Sequence, residues 1–98
     1  MNKDVFAIRS EGQGVVRLSG RLDASQADKA KAFLASFSEP LVLDLSDLDY
    51  ISSAGLSVLL VTLKRLESLG HTLRLRHVRE RILNVLRYAG FDQILTIE

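Results

Sequence analysis

The chain has 98 residues, and its 13 Lys and Arg against 12 Asp and Glu leave a formal net charge of +1, with 47% of residues apolar. This is the composition of a single globular domain, residues 1–98, large enough to close a modest core unaided. The absence of cysteine excludes disulfides, cysteine-ligated zinc and a thiol nucleophile. The near-zero charge argues against a nucleic-acid partner, and no apolar run approaches the roughly 18–20 residues of a membrane helix. The opening Met1-Asn2-Lys3-Asp4 has no apolar leader core, so a cytoplasmic location is expected.

Val5 to Ile8 and Val15 to Leu18 are short and rich in β-favouring residues, with turn chemistry at Glu11-Gly12-Gln13-Gly14 between them, which predicts a hairpin. Gly20 to Asp23 closes it. Asp23, three residues before Gln26, predicts a capping box and a helix over Ala24–Ser36, with Ala27, Ala30, Leu34 and Phe37 at helical spacing. After Pro40, the nearly continuous apolar run Leu41–Leu45 predicts a central strand covered on both faces. Leu56, Leu59, Leu63 and Leu66 form one stripe of a helix over Ala54–Leu69, stopped by Gly70. Leu73 and Leu75 alternate with Arg74 and Arg76, as in a strand with one wet face. Ile82, Val85, Leu86 and Ala89 then lie on one face of a helix over Arg79–Tyr88, and Ile94–Ile97 predicts a final strand. Strand–helix–strand connections demand parallel pairing after the antiparallel hairpin. The expected fold is therefore α/β, a mixed sheet with three main helices packed on it.

The most unusual stretch runs from Asp44 to Leu56 and sets two serines, Ser52 and Ser53, at the start of the second helix. Only one serine can cap the helix. If Ser52 does, Ser53 is the first helical residue with its side chain turned to water. Gly55 in the first turn costs up to about 1 kcal/mol against alanine. Either a neighbouring strand lies too close for a side chain, or another molecule needs access to Ser53. Val58, Val61 and Leu69 lie off the leucine stripe, and are either covered by neighbouring elements or form a docking patch beside Ser53.

Leu43-Asp44-Leu45-Ser46 with Tyr50-Ile51-Ser52-Ser53-Ala54-Gly55-Leu56 resembles the signature of the STAS family, the anti-sigma factor antagonists. Gly20-Arg21-Leu22-Asp23, Gly70 to Leu75 and Leu86 to Gly90 extend the resemblance over almost the whole chain. The resemblance implies a phosphorylation switch. The unmodified antagonist binds an anti-sigma factor that is also a serine kinase, an ATPase of the histidine-kinase-like type. That kinase phosphorylates the serine at the start of the second helix, and a metal-dependent serine phosphatase reverses the change. The family serine aligns with Ser53, with Ser52 the alternative acceptor. The position before it, commonly Asp, is Ser52 here, the following one is Ala54, and Arg21 replaces a common Glu. The implied partner surface comprises Arg21, Asp23 and Asp49 on the approach and Ser52, Ser53, Gly55, Leu56, Ser57, Val58 and Val61 on the helix. A monomer without cofactor is expected. The alternative is an unphosphorylated STAS subunit of a larger complex, such as an ABC-type lipid transporter.

His71 and His77 flank a strand with no acidic or histidine partner at metal-ligand spacing, so end-of-strand roles are expected. A serine hydrolase is disfavoured, because no Gly-x-Ser-x-Gly elbow surrounds Ser53. Arg74, Arg76, Arg79, Arg81 and Arg87 are scattered by strand and helix periodicity over different faces, where solvent is the default neighbour.

Overall fold

The computed structural model describes residues 5–98, so the leader reading of Met1 to Asp4 lies outside the described residues. Strands β1 (Ala7–Gly12) and β2 (Val15–Leu22) lead into α1 (Ala24–Leu34). Then come β3 (Leu41–Ile51), α2 (Ser53–Ser68), β4 (Leu73–Arg76), α3 (Glu80–Tyr88), a 3-10 turn at Phe91–Gln93 and β5 (Thr96–Ile97). The five strands lie side by side in chain order. β1 is antiparallel to β2, and every later pairing is parallel. The expected mixed sheet and element order are therefore present.

The strand limits differ from expectation where polar residues occupy strands. β1 runs through Arg9, Ser10 and Glu11 to Gly12, and the turn tightens onto Gln13 and Gly14, both left-handed, with φ of 56° and 77°. A two-residue turn of that hand matches the twist of the strands it joins. β2 continues past Leu18 because its pairing with β3 extends to Leu22 opposite Ile51. α1 stops at Leu34, two residues before Ser36, and Phe37 instead packs back on Phe33 with ring centroids 5.8 Å apart.

One sheet face is apolar. Val16, Leu18 and Leu22 of β2, Leu41, Leu43 and Leu45 of β3, and Leu73 and Leu75 of β4 are buried in a single core. Ala30 and Leu34 of α1, Leu59 and Leu66 of α2, and Ile82 and Leu86 of α3 close over them. The alternate residues form a polar face, and here the expectation that β3 is covered on both faces fails. Register places Arg9, Arg17, Asp44 and Arg76 in one row across four strands. The apolar run concealed this because Asp44 is its only charged member, and long arginine stems shield that residue.

Asp44 is only 1% exposed. Its Oδ1 accepts from the Ser46 amide at 3.0 Å, and Oδ2 lies 3.2 Å from Arg76 Nε and 3.1 Å from His77 Nδ1. Arg17 Nη2 is 3.7 Å away. His77 closes β4 as expected of an end-of-strand residue. Its acidic partner, however, lies 33 positions upstream, beyond any local spacing rule. Burial alone would raise the Asp44 pKa, but the bonds from Ser46, Arg76 and His77 outweigh it and hold the carboxyl well below its usual range. A carboxyl depressed on folding stabilises the fold above its unfolded pKa of about 3.9, and that contribution drains away as pH falls toward the folded value. The urea midpoint should therefore fall between about pH 5 and pH 2. It should fall less steeply in Asp44→Asn; parallel curves would assign the acid sensitivity to other groups.

Candidate functional site

The eight residues of β2 face ten of β3, Val42 to Ile51, and β3 takes up the two extra residues in two bulges. Arg17 and Ser19 face Asp44 and Asp47, and Gly20 and Arg21 face Leu48 and Tyr50, so β3 carries one extra residue each time. Bulges of this kind bend a strand and re-aim its side chains. On the other flank, pairing with β4 ends at Asp44 opposite Arg76. The last seven residues of β3 thus run on beside β2 alone, toward the start of α2.

At that junction the Ser52 amide donates to the Leu22 carbonyl at 3.0 Å. Ser52 has extended backbone angles (φ −90°, ψ 176°) and is the N-cap, its Oγ accepting from the Gly55 amide at 3.3 Å. Ser53 is the first residue of α2, one earlier than expected, and is exposed. Among the described hydrogen bonds the Ser53 hydroxyl has no protein partner, whereas its carbonyl accepts from Ser57 Oγ at 3.1 Å. The two serines are thereby separated in role: Ser52 is half-buried and engaged, Ser53 open to solvent.

Gly55 is buried, and its two readings are resolved in favour of packing. A Cβ there would lie 2.7 Å from Ile51 Cγ1 and 2.8 Å from the Leu22 carbonyl oxygen. Val58 is likewise corrected: it is 3% exposed and belongs to the core, because α1 crosses beside it. Val61 (43% exposed) and Leu69 (49%) do remain open. Between α1 and α2 lies a groove of about 270 Å³, with Ala27, Ala54, Val58 and Val61 as its apolar lining and Asp28 and Lys31 at its rim. Ala54 and Ser57, which adjoin Ser53 along α2, also line it. Leu56 is half-buried and Ser57 exposed.

The charged residues expected here are each engaged. Asp23 caps α1, accepting from the Ser25 amide at 3.0 Å and the Ser25 hydroxyl at 2.6 Å, and the Ser25 hydroxyl is the main reason its pKa is lowered. No reciprocal bond from the Gln26 side chain occurs among the described residues, so this is a simple cap rather than a box. Gly20 to Asp23, expected to close the hairpin, instead continues β2 as far as Leu22. The Arg21 guanidinium lies 4.0 Å above the Tyr50 ring, a cation–π contact at the strand's end. Asp47 pairs with Arg17 Nη1 at 3.3 Å, and Asp49 Oδ1 accepts from Arg79 Nη1 at 2.5 Å. Sequence reasoning assigned Arg79 to solvent and overlooked Tyr50 as a platform, because both contacts depend on the register and bulges of β3. Among the described residues no group of three or more His, Asp or Glu could hold a metal ion, and no helix is long and apolar enough to cross a membrane.

A family model described as Mlab, STAS domain, matches residues 6–96. The chain belongs to the STAS family. This STAS domain is 33% identical over 91 residues to BtrV of Bordetella bronchiseptica, covering 89% of this chain and 78% of that protein. It is 28% identical over 100 residues to the anti-sigma-B factor antagonist of Bacillus subtilis, covering 99% of this chain and 92% of that one. In three dimensions the STAS domain resembles an anti-sigma factor antagonist from Mycobacterium paratuberculosis, with a TM-score of 0.80, 22% identity, and coverage of 98% of this chain and 87% of the other.

Proposed function

We propose that this STAS domain is an anti-sigma factor antagonist in a partner-switching module. Unmodified, it binds an anti-sigma factor that is also a serine kinase, and phosphorylation of Ser53 ends the interaction until a metal-dependent phosphatase reverses it. The observation that carries this reading is the division of labour at α2: Ser52 caps the helix while Ser53 holds its hydroxyl in solvent. In the modification, Ser53 Oγ attacks the γ-phosphorus of ATP, the hydroxyl proton is released, and ADP leaves.

The product adds about −1.5 to −2 charges. At the first position of a helix the unpaired backbone amides and the dipole favour such a charge, typically by 0.3–1 kcal/mol. The fold therefore tolerates the phosphate, and the effect falls on the shared surface, where a dianion replaces a neutral hydroxyl. The groove and the open Val61 supply the apolar part of that surface. Because Val61 is 43% exposed, Val61→Asp should fold with an unchanged melting temperature yet lose about tenfold or more in affinity for the kinase by calorimetry. Loss of folding in that variant would instead make Val61 a core residue.

Incubation with a cognate serine kinase and ATP, followed by peptide mass spectrometry, tests the reading: one phosphate on Ser53 supports it, and phosphate on Ser52 or nowhere overturns it. One finding favours the second reading, a subunit of a larger complex such as an ABC-type lipid transporter: the matching family model carries the Mlab description rather than an antagonist name. Stable co-purification with a transporter ATPase, without phosphate on Ser53, would establish it.

A further inference from the structure

Arg79 is the N-cap of α3, a position that favours a short side chain with an acceptor oxygen, yet it makes no side-chain cap bond. Its backbone carbonyl accepts from the Leu83 amide at 2.8 Å, but its guanidinium points away from its own helix. Nε donates to the Ser46 carbonyl at 2.6 Å, and Nη1 donates to Asp49 Oδ1 at 2.5 Å. These two acceptors fall at the two bulges: Ser46 lies between the register positions Asp44 and Asp47, and Asp49 between Leu48 and Tyr50. Both also lie beyond the point where β4 stops pairing with β3, so the Ser46 carbonyl has no strand donor on that flank. A planar guanidinium fork holds these two donors at a fixed angle to one another, whereas an ammonium offers three donors from a single rotating point.

We propose that Arg79 is a positioning residue for Ser53. By pinning both bulges of β3 from the side that β4 leaves open, it fixes the path of the chain into the Ser52 cap and hence where the Ser53 hydroxyl is presented. The inference rests on the reading of Ser53 as the modified residue, but its physical core is testable without a kinase.

Amide hydrogen exchange on the full chain should show this directly. In Arg79→Gln and Arg79→Met, the amides of Ser52, Gly55 and Leu56, bonded to the Leu22 carbonyl, Ser52 Oγ and the Ser52 carbonyl, should exchange on the order of tenfold faster. The amides of Leu63 and Leu66 in the interior of α2 should stay within about twofold of the parent. Arg79→Lys, which keeps the charge without the fork, should resemble Arg79→Gln. With a kinase, the same variants should lower kcat/KM for Ser53 phosphorylation by about tenfold while melting shifts little. Uniformly faster exchange in all helices, unchanged exchange at Ser52 to Leu56, or full recovery by Arg79→Lys would each overturn the inference. A chain that no kinase modifies, but whose Ser52 to Leu56 amides respond as described, would refute the phosphorylation reading alone and leave the positioning role standing.

Discussion

Ser53→Ala should bind the anti-sigma kinase within about twofold of the parent and incorporate no phosphate, whereas Ser53→Asp should bind at least about tenfold more weakly, equivalent to 1.4 kcal/mol. The two variants separate what a charge does to the scaffold from what it does to the partner. In the free domain an aspartate at the first helical position meets the unpaired amides of α2, so the melting temperature of Ser53→Asp should match or slightly exceed that of the parent. At the partner surface the same carboxylate is removed from water beside the apolar groove and lowers affinity. Calorimetric titration and thermal melts on the same samples read both quantities. Equal affinity of the two variants for the kinase would refute a charge-operated switch, and a large fall in the melting temperature of Ser53→Asp would show that modification acts by damaging the fold.

Gly55→Ala should destabilise the domain even though alanine is the better helix former. The helix gains up to about 1 kcal/mol from the exchange. Against this, the new methyl group would sit 2.7 Å from Ile51 Cγ1 and 2.8 Å from the Leu22 carbonyl oxygen, and overfilling of a packed core costs typically 1–3 kcal/mol. A third atom, Leu22 Cγ, at 2.9 Å puts the cost toward the upper end of that range. The balance is a loss of about 2 kcal/mol, a fall in melting temperature of roughly 8–16 °C for a chain of this length. The Leu22 carbonyl is also the acceptor for the Ser52 amide, so the strain reaches the cap directly. A rise in melting temperature would mean that α2 can lift off β2 without cost, and that the glycine is there for another reason.

The elements that followed from sequence were those with one dominant periodicity. Of the stripe Leu56, Leu59, Leu63 and Leu66 all but the half-buried Leu56 are buried, and so are Leu73 and Leu75, as their spacing implied. Capping chemistry also implied that only one of Ser52 and Ser53 could be the cap, and the structure assigns that role to Ser52. What escaped was whatever depends on register between distant segments. The strand predicted over Leu41–Leu45 stops six residues short of the observed Ile51, because two bulges break the alternation that announces a strand. Asp44 sat inside an apolar run, and its partners at Arg17, Arg76 and His77 lie some thirty residues away in either direction. Val58 was misplaced because the path of α1 beside α2 is a matter of tertiary packing. Arg79 was read as a solvated charge because no local rule foresees an arginine at an N-cap reaching across to another strand.

The sheet's strand order has a consequence for the chain as it is made. Because each strand lies beside the one synthesised before it, the segments that carry the Ser53 hydroxyl and its cap, from β2 through α2, have emerged before β4 and α3 follow. A nascent chain whose first 70 or so residues have left the ribosome already displays its serine, while the guanidinium that steadies the approach to it is still inside.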